Sequence, residues 1–294
     1  MTIITYLVDW IRRLLPSFGN RMPHVATYTR ELPISLKRMY ENATDGEHLP
    51  WLHSDSFSDL TIVDSGKWGW HGKGHLQPRS FMTYMELKLT LDREKSRWIT
   101  KTLAGLGKGS EIWTHAIPLE ENKIKVIVDF YVPKLPRFLH KMYADQLIET
   151  YAKLYDEDLW MMATRQNELN RLKAKKAHAP MQGSLRLGAI TEIEKQLPFD
   201  FEFNLQPYRL VKNKESFIAF NSTCPHMLGP LNTHKDSHLL ATCPWHGYEF
   251  DIENGECLSG QKCKLLPAPI IVIDEDDQSI WAKSHAIIDK MASQ

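Results

Sequence analysis

The cysteines constrain this chain more than any other residue type. Cys224, Cys243, Cys257 and Cys263 all fall in the last 71 of 294 residues, and the first 223 contain none. A disulfide framework for the whole chain is therefore excluded, and the N-terminal part must hold itself together by burying apolar surface. With 43% hydrophobic residues it has the material to do so, and the length suits one large or two medium domains. The 36 Lys and Arg balance 36 Asp and Glu, which excludes the basic excess that a broad nucleic-acid footprint requires. Crowded with His226, His234, His238 and His246, the four cysteines read as a metal or cluster site in a reducing, cytoplasmic compartment. No signal peptide or spanning run is recognisable.

Two short loops carry the pattern. The first reads Cys224-Pro225-His226; after sixteen intervening residues the second reads Cys243-Pro244-Trp245-His246-Gly247-Tyr248. Each offers one thiolate and one imidazole. Such a set suits a [2Fe–2S] cluster with two thiolates on one iron and two imidazoles on the other. The prolines and glycines stiffen the loops and let backbone N–H groups point at the bridging sulfides. A structural zinc ion takes the same four atoms, but zinc sites usually pair like with like, C-x₂₋₄-C then H-x₃₋₅-H. The loops resemble the Rieske domain, over roughly residues 192–283. That resemblance implies that Cys224 and Cys243 hold the buried iron, and His226 and His246 the outer one. Leu228 stands where many relatives have glycine, with Gly229 one place later. Cys257 and Cys263 lie outside the loops and read as ordinary thiols.

Along the rest of the chain, residues 2–17 are amphipathic. They read either as a helix docked on the protein or a neighbouring subunit, or as a membrane-surface anchor, which would make the protein peripheral. Residues 33–48 look helical, and strands are expected at 60–63, 80–87, 111–117 and 123–130, with glycine-rich connections between the first three. A long helix is expected over residues 137–173, then a linker, then short strands up to Ile280 and Trp281. The expected fold class is α+β: an N-terminal helix-grip-like antiparallel sheet wrapped on a long helix, followed by a small all-β domain. The corresponding segments are 1–22, 23–172, a linker at 173–190, and 191–294.

A second metal motif lies in the cysteine-free part. Asn42, Asp45, His48 and His53 form N-x₂-D-x₂-H-x₄-H. Asp45 and His48 share a helix face, and Pro50 is expected to kink the helix so that both imidazoles converge. Two histidines and a carboxylate suit a mononuclear ferrous iron, with Asp45 as a local carboxylate partner to a ligand imidazole. This motif resembles that of the Rieske non-heme iron oxygenases, especially the monooxygenase and demethylase branch. The resemblance implies a third ligand from Tyr155-Asp156-Glu157-Asp158, with Asp158 preferred and Asp156 in reserve. It also implies catalytic roles for Asp45 and Asn42, O2 as co-substrate, and electrons from NAD(P)H through a reductase or ferredoxin. It further implies a homotrimer in which Asp45 meets a cluster histidine of a neighbouring subunit. Here the domain order is reversed relative to that family. The substrate is expected to be an apolar small molecule, with Trp68, Trp70, Phe81, Met82, Trp98 and Trp113 among the candidate lining residues. His71 and His75 are expected to be exposed in a glycine-rich turn. The competing reading is a non-catalytic electron carrier whose N-terminal domain binds lipid or docks a partner.

Overall fold

The computed structural model describes residues 23–177, 183–214, 216–233 and 239–285. The amphipathic segment at residues 2–17 lies outside them, and with it the expected membrane-surface contact. Two compact units divide between Ala163 and Thr164. Among the described residues, no helix is long and apolar enough to cross a membrane.

The first unit is a seven-stranded antiparallel sheet in the order β1-β7-β6-β5-β4-β3-β2. Its strands are β1 (His24–Leu32), β2 (Phe57–Gly66), β3 (Gly69–Leu76), β4 (Tyr84–Asp92), β5 (Arg97–Gly105), β6 (Glu111–Glu120) and β7 (Lys123–Tyr131). Strand β7 shows why the sheet has one dry face. Ile124, Val126, Val128 and Phe130 alternate with Lys123, Lys125 and Asp129, and the apolar set is buried. Each such burial contributes about 1.5–3 kcal/mol. The N-terminal part of the long helix α3 (His140–Ala177) lies on that face. Its Tyr151 meets Phe130 edge-on at 4.7 Å, and its Tyr155 stacks on Tyr28 at 5.6 Å. The α+β expectation holds.

Several local expectations give way. Gly69–Leu76 is a strand, not a turn. Its glycines are what let β2 approach, since a Cβ on Gly74 would lie 2.1 Å from the Asp59 carbonyl oxygen. His71 and His75 therefore sit half-buried on β3, paired with Glu86 at 2.7 Å and Asp59 at 3.0 Å. Residues 81–83 form a 3-10 turn, so β4 starts only at Tyr84. The helix expected over 33–48 is only α1 (Leu36–Thr44), and a separate short helix, α2 (Leu49–Leu52), follows it. Ser35 caps α1, and Arg38, Met39, Asn42 and Ala43 form its buried face. The break falls at Asp45, whose ψ of 86° is not helical, and at Gly46, where a Cβ would lie 2.7 Å from Ile62. Asp45 and His48 thus do not share a helix. Pro50 opens α2 in its first turn rather than kinking α1, a position where its missing N–H costs nothing.

Among its described residues, the second unit holds three three-stranded sheets: β11-β10-β9, β12-β13-β14 and β15-β16-β8. Their strands are β8 (Ser184–Ala189), β9 (Phe199–Phe203), β10 (Gln206–Asn213), β11 (Ser216–Asn221), β12 (Asn232–Thr233), β13 (Leu240–Thr242), β14 (Glu249–Asp251), β15 (Ile270–Asp274) and β16 (Ser279–Lys283). Ile193 from the short helix α4 (Ile190–Glu194), with Leu210, Ala219 and Ile280, forms its core. The linker expected at 173–190 is shorter, because helix α3 continues to Ala177 and β8 pairs with β16 from Ser184. Lys and Ala through residue 177 are strong helix formers, which explains the overrun. The division also precedes the expected 172, because the last turns of α3 belong to the second unit, within which Arg165 Nη1 donates to the Met227 carbonyl at 3.1 Å and Arg171 reaches Thr223.

Candidate metal centres

In the first unit, the break between α1 and α2 and one turn of α3 bring His48, His53 and Asp158 together. One donor atom from each lies within 4.8 Å of the others. Their exposures are 3%, 1% and 8%, so the donors face one another in a dry site. His53 Nε2 is 3.1 Å and His48 Nε2 3.5 Å from Asp158 Oδ1. Asp156, the reserve ligand, points away to an ion pair with Arg30 at 2.6 Å and is mostly exposed.

Around the three donors, each expected partner has a definite place. Asn42 donates Nδ2–H to Asp158 Oδ1 at 2.7 Å, which fixes the carboxylate. His48 Nδ1 is buried without a hydrogen-bond partner and lies 3.8 Å from Asp45 Oδ2. Glu157 was not singled out from the sequence, yet it accepts the Nδ1–H of His53 at 2.6 Å. The signal was present in the acidic run at 156–158, but only the turn of α3 shows which carboxylate faces which way. Burial pulls the His53 pKa down, but hydrogen bonds to Asp158 and Glu157 outweigh it and hold the imidazole above its ordinary value. Burial likewise opposes ionisation of Asp158, but His48 and His53 keep its carboxyl well below the usual range. Two buried imidazoles and a buried carboxylate, with outer partners on His53 and Asp158, are the donor set that fits a ferrous ion.

The triad opens into a cavity of about 260 Å³ between the sheet and α3. Leu87, Leu89, Trp98, Phe130 and Leu147 form much of its wall. Of the aromatic residues named from sequence, Trp70 and Trp98 line it, whereas Phe81 is 88% exposed and Met82 is also at the surface. Trp68 lies under Lys88, and Trp113 under Arg97.

In the second unit, the two cysteine–histidine loops share one backbone plan. Leu228 N–H donates to the Cys224 carbonyl at 3.0 Å, and Gly247 N–H to the Cys243 carbonyl at 2.8 Å. Cys224 N–H and Cys243 N–H close the loops onto the Gly229 and Tyr248 carbonyls. Leu228 and Gly247 hold the same left-handed position, with φ of 65° and 67°. Gly229 follows where only a glycine fits: a Cβ there would meet the Trp245 ring at 2.7 Å and Cys243 Sγ at 3.1 Å. Cys224 and Cys243 are fully buried and His246 nearly so, whereas His226 reaches solvent. The two imidazole rings lie 4.6 Å apart at 75°. The hydrogen bond between the thiols drives Cys243 toward thiolate, with His246 and the Trp245 N–H adding to it. Two buried sulfurs and two neighbouring imidazoles on matched loops fit the asymmetric ligation of a [2Fe–2S] cluster. Cys257 and Cys263 are free, and the Glu256–Lys264 bridge sets them opposite each other outside the loops.

Comparison with known proteins agrees with this geometry for the second unit. Residues 184–278, about a third of the chain, match the family model described as the Rieske [2Fe-2S] domain. The iodate reductase subunit IdrB of Pseudomonas sp. (strain SCT) is 31% identical over 110 residues, 31% of this chain and 56% of that protein. The subunit of the same name from Denitromonas iodatirespirans is 31% identical over 124 residues, 36% of this chain and 64% of that protein. The chain thus spans less than two thirds of the length of these relatives. A solved structure, the ZhuI aromatase/cyclase from Streptomyces sp. R1128, aligns with 49% of this chain and 96% of its own at 12% identity and a TM-score of 0.42. With both loops in place and the family model spanning them, the C-terminal region of this α+β chain carries a Rieske [2Fe–2S] domain.

Proposed function

We propose that the chain is a Rieske-type oxygenase component that uses O2 and externally supplied electrons to hydroxylate or demethylate an apolar small molecule. The observation that carries this reading is the buried His48, His53 and Asp158 triad at the edge of a cavity, in a chain that also carries a Rieske domain. A ferrous ion held by the triad would supply oxygen activation, and a cluster held by Cys224, His226, Cys243 and His246 would supply an electron. The chain's own residues do the rest. Glu157 fixes the tautomer and ring orientation of His53, and Asn42 orients Asp158. Asp45 Oδ2, 3.8 Å from His48 Nδ1, is the carboxylate that would orient this imidazole on a small approach of the two groups. The apolar wall excludes water and orients the substrate. His226, the exposed member of the cluster set, offers a reductase or ferredoxin a point of approach. The homotrimer, NAD(P)H as ultimate reductant and a link from Asp45 to a neighbouring subunit's cluster rest on the oxygenase resemblance.

The iodate reductase matches favour a second reading, an electron-transfer subunit whose N-terminal unit docks a partner or binds lipid. Nitric oxide separates the two. Added to Fe(II)-loaded protein, it should give a paramagnetic resonance signal distinct from that of the reduced cluster, and Asp158→Ala should abolish that signal alone. Wild-type protein that gives only the cluster signal would leave the electron-transfer reading.

A further inference from the structure

The cavity has direction. Two independent rulers run along it from the triad. On α3, Asp158 and Gln146 are twelve residues apart, about 18 Å at 1.5 Å per residue. On the sheet, Trp98 lies opposite Thr114, which bonds Tyr155 near the triad, and Thr102 lies four residues further along β5, about 13 Å away. At that far end Thr102 N–H donates to the Ser110 carbonyl at 3.0 Å, which brings both hydroxyl-bearing residues to the same place. Ser110 Oγ is buried without a hydrogen-bond partner, and Thr102, Ser110 and Gln146 all line the cavity. Between the two ends the wall includes Leu87, Leu89, Ile112, Phe130 and Leu147, with Thr100 on the strand and Thr150 on the helix.

The charges in the lining are just as informative. Among the described residues, no Lys or Arg lines the cavity, whereas Asp45, Glu111 and Asp158 do. Lys101 pairs with Glu111 at 2.6 Å, and Trp113 donates to it at 3.0 Å, so that carboxylate is already satisfied. Away from the triad, an anionic ligand would lose its hydration and meet only Glu111 and neutral groups. A hydroxyl or carbonyl would find Ser110 Oγ, which has no hydrogen-bond partner among the described residues.

We propose that the cavity takes an elongated, uncharged molecule, whose hydroxyl or carbonyl group is held by Ser110, Thr102 and Gln146 and whose apolar end reaches the His48, His53 and Asp158 triad. The binding part stands on the cavity alone; that the apolar end is the one oxidised rests on the oxygenase reading. In that reading, the polar group at the far end sets the register and thereby the position oxidised.

The test is a binding titration on the full chain without N-terminal metal, read by tryptophan fluorescence, because Trp70 and Trp98 line the cavity. The probes are 1-decanol, decane, decanoate and decylammonium. Saturable binding of 1-decanol is expected, with decane, decanoate and decylammonium each at least tenfold weaker. Ser110→Ala and Gln146→Leu should each weaken 1-decanol about fivefold, and Gln146→Arg should reverse the preference toward decanoate. Decanoate or decylammonium binding as tightly as 1-decanol overturns the uncharged class. Decane binding as tightly, or unchanged 1-decanol affinity in both Ser110→Ala and Gln146→Leu, overturns the polar end. Since the protein carries no mononuclear metal in this titration, its failure leaves the oxygenase reading standing, and failure of the iron measurements leaves the titration standing.

Discussion

Glu157 gives the sharpest consequence of the site's geometry. Its carboxylate accepts Nδ1–H of His53 at 2.6 Å, and His53 is 1% exposed, so water cannot replace the lost acceptor without rearrangement. Lys153 lies 3.9 Å from the other Glu157 oxygen and leaves the bond to His53 unoccupied. A charge-assisted hydrogen bond of this kind is worth about 1.5–3 kcal/mol. Partners of metal-bound imidazoles typically carry about 10–100-fold of metal affinity, which is the same range. Glu157→Gln keeps an acceptor oxygen but loses the charge, so it should weaken Fe(II) binding about tenfold. Glu157→Ala leaves His53 free to take the wrong tautomer and should cost about a hundredfold. The assay is anaerobic competition for Fe(II) between the protein and a chromophoric chelator, with circular dichroism to show that each variant is folded. If both variants bind Fe(II) as tightly as the parent, Glu157 does not position His53 for a metal and the reasoning fails.

Further outcomes follow from the same coordinates. Asp158→Ala should remove the N-terminal metal, whereas Asp156→Ala should leave it bound, because Asp156 is engaged at the surface with Arg30; metal analysis of the two purified variants decides. Gly229→Ala should cost about 1–3 kcal/mol and lower cluster occupancy, since the added carbon meets fully buried Trp245; visible absorbance and a melting curve read both effects. The metal-free first unit should also have a pH optimum of stability. The lowered Asp158 pKa contributes stability above about pH 4 that is lost as pH falls through its folded value, and the raised His53 pKa contributes stability below about pH 6.5 that is lost as pH rises through its folded value. Its melting temperature should therefore peak between about pH 4 and 6.5. With Fe(II), which competes with protons for the imidazoles, stabilisation by the metal should instead grow as pH rises; a metal-free profile without that peak would contradict the first statement, and a profile unchanged by metal the second.

The cluster loops were legible in the sequence because ligation there is local: each cysteine and its histidine lie within four residues, and the second loop adds an aromatic and a glycine at fixed places. The triad was legible by chemistry but not by route. The structure brings its three members together, yet the expected continuous helix with Pro50 as a kink is replaced by a break at Asp45 and Gly46, where an added Cβ would meet Ile62 and Trp70. Strand β3 was hidden because its glycines read as turn signals, and their real cause, the close approach of β2, is a long-range fact. Glu157 was hidden because neighbouring helical residues point about 100° apart, so the register of α3 against the sheet chooses between three adjacent carboxylates. The polar far end of the cavity was hidden altogether, as it joins residues from β5, the turn after it and α3.

Whether the chain holds two separate metal centres is decided by its iron and acid-labile sulfide content. Protein reconstituted anaerobically with iron and sulfide, then freed of loosely bound metal, should contain about three irons and two sulfides per chain, two of each belonging to the cluster. A variant carrying His48→Ala and Asp158→Ala should fall to about two irons while its sulfide content and visible absorbance stay unchanged. Two irons per chain in the parent protein, with no loss in the variant, would contradict the claim and leave a cluster protein without a mononuclear site.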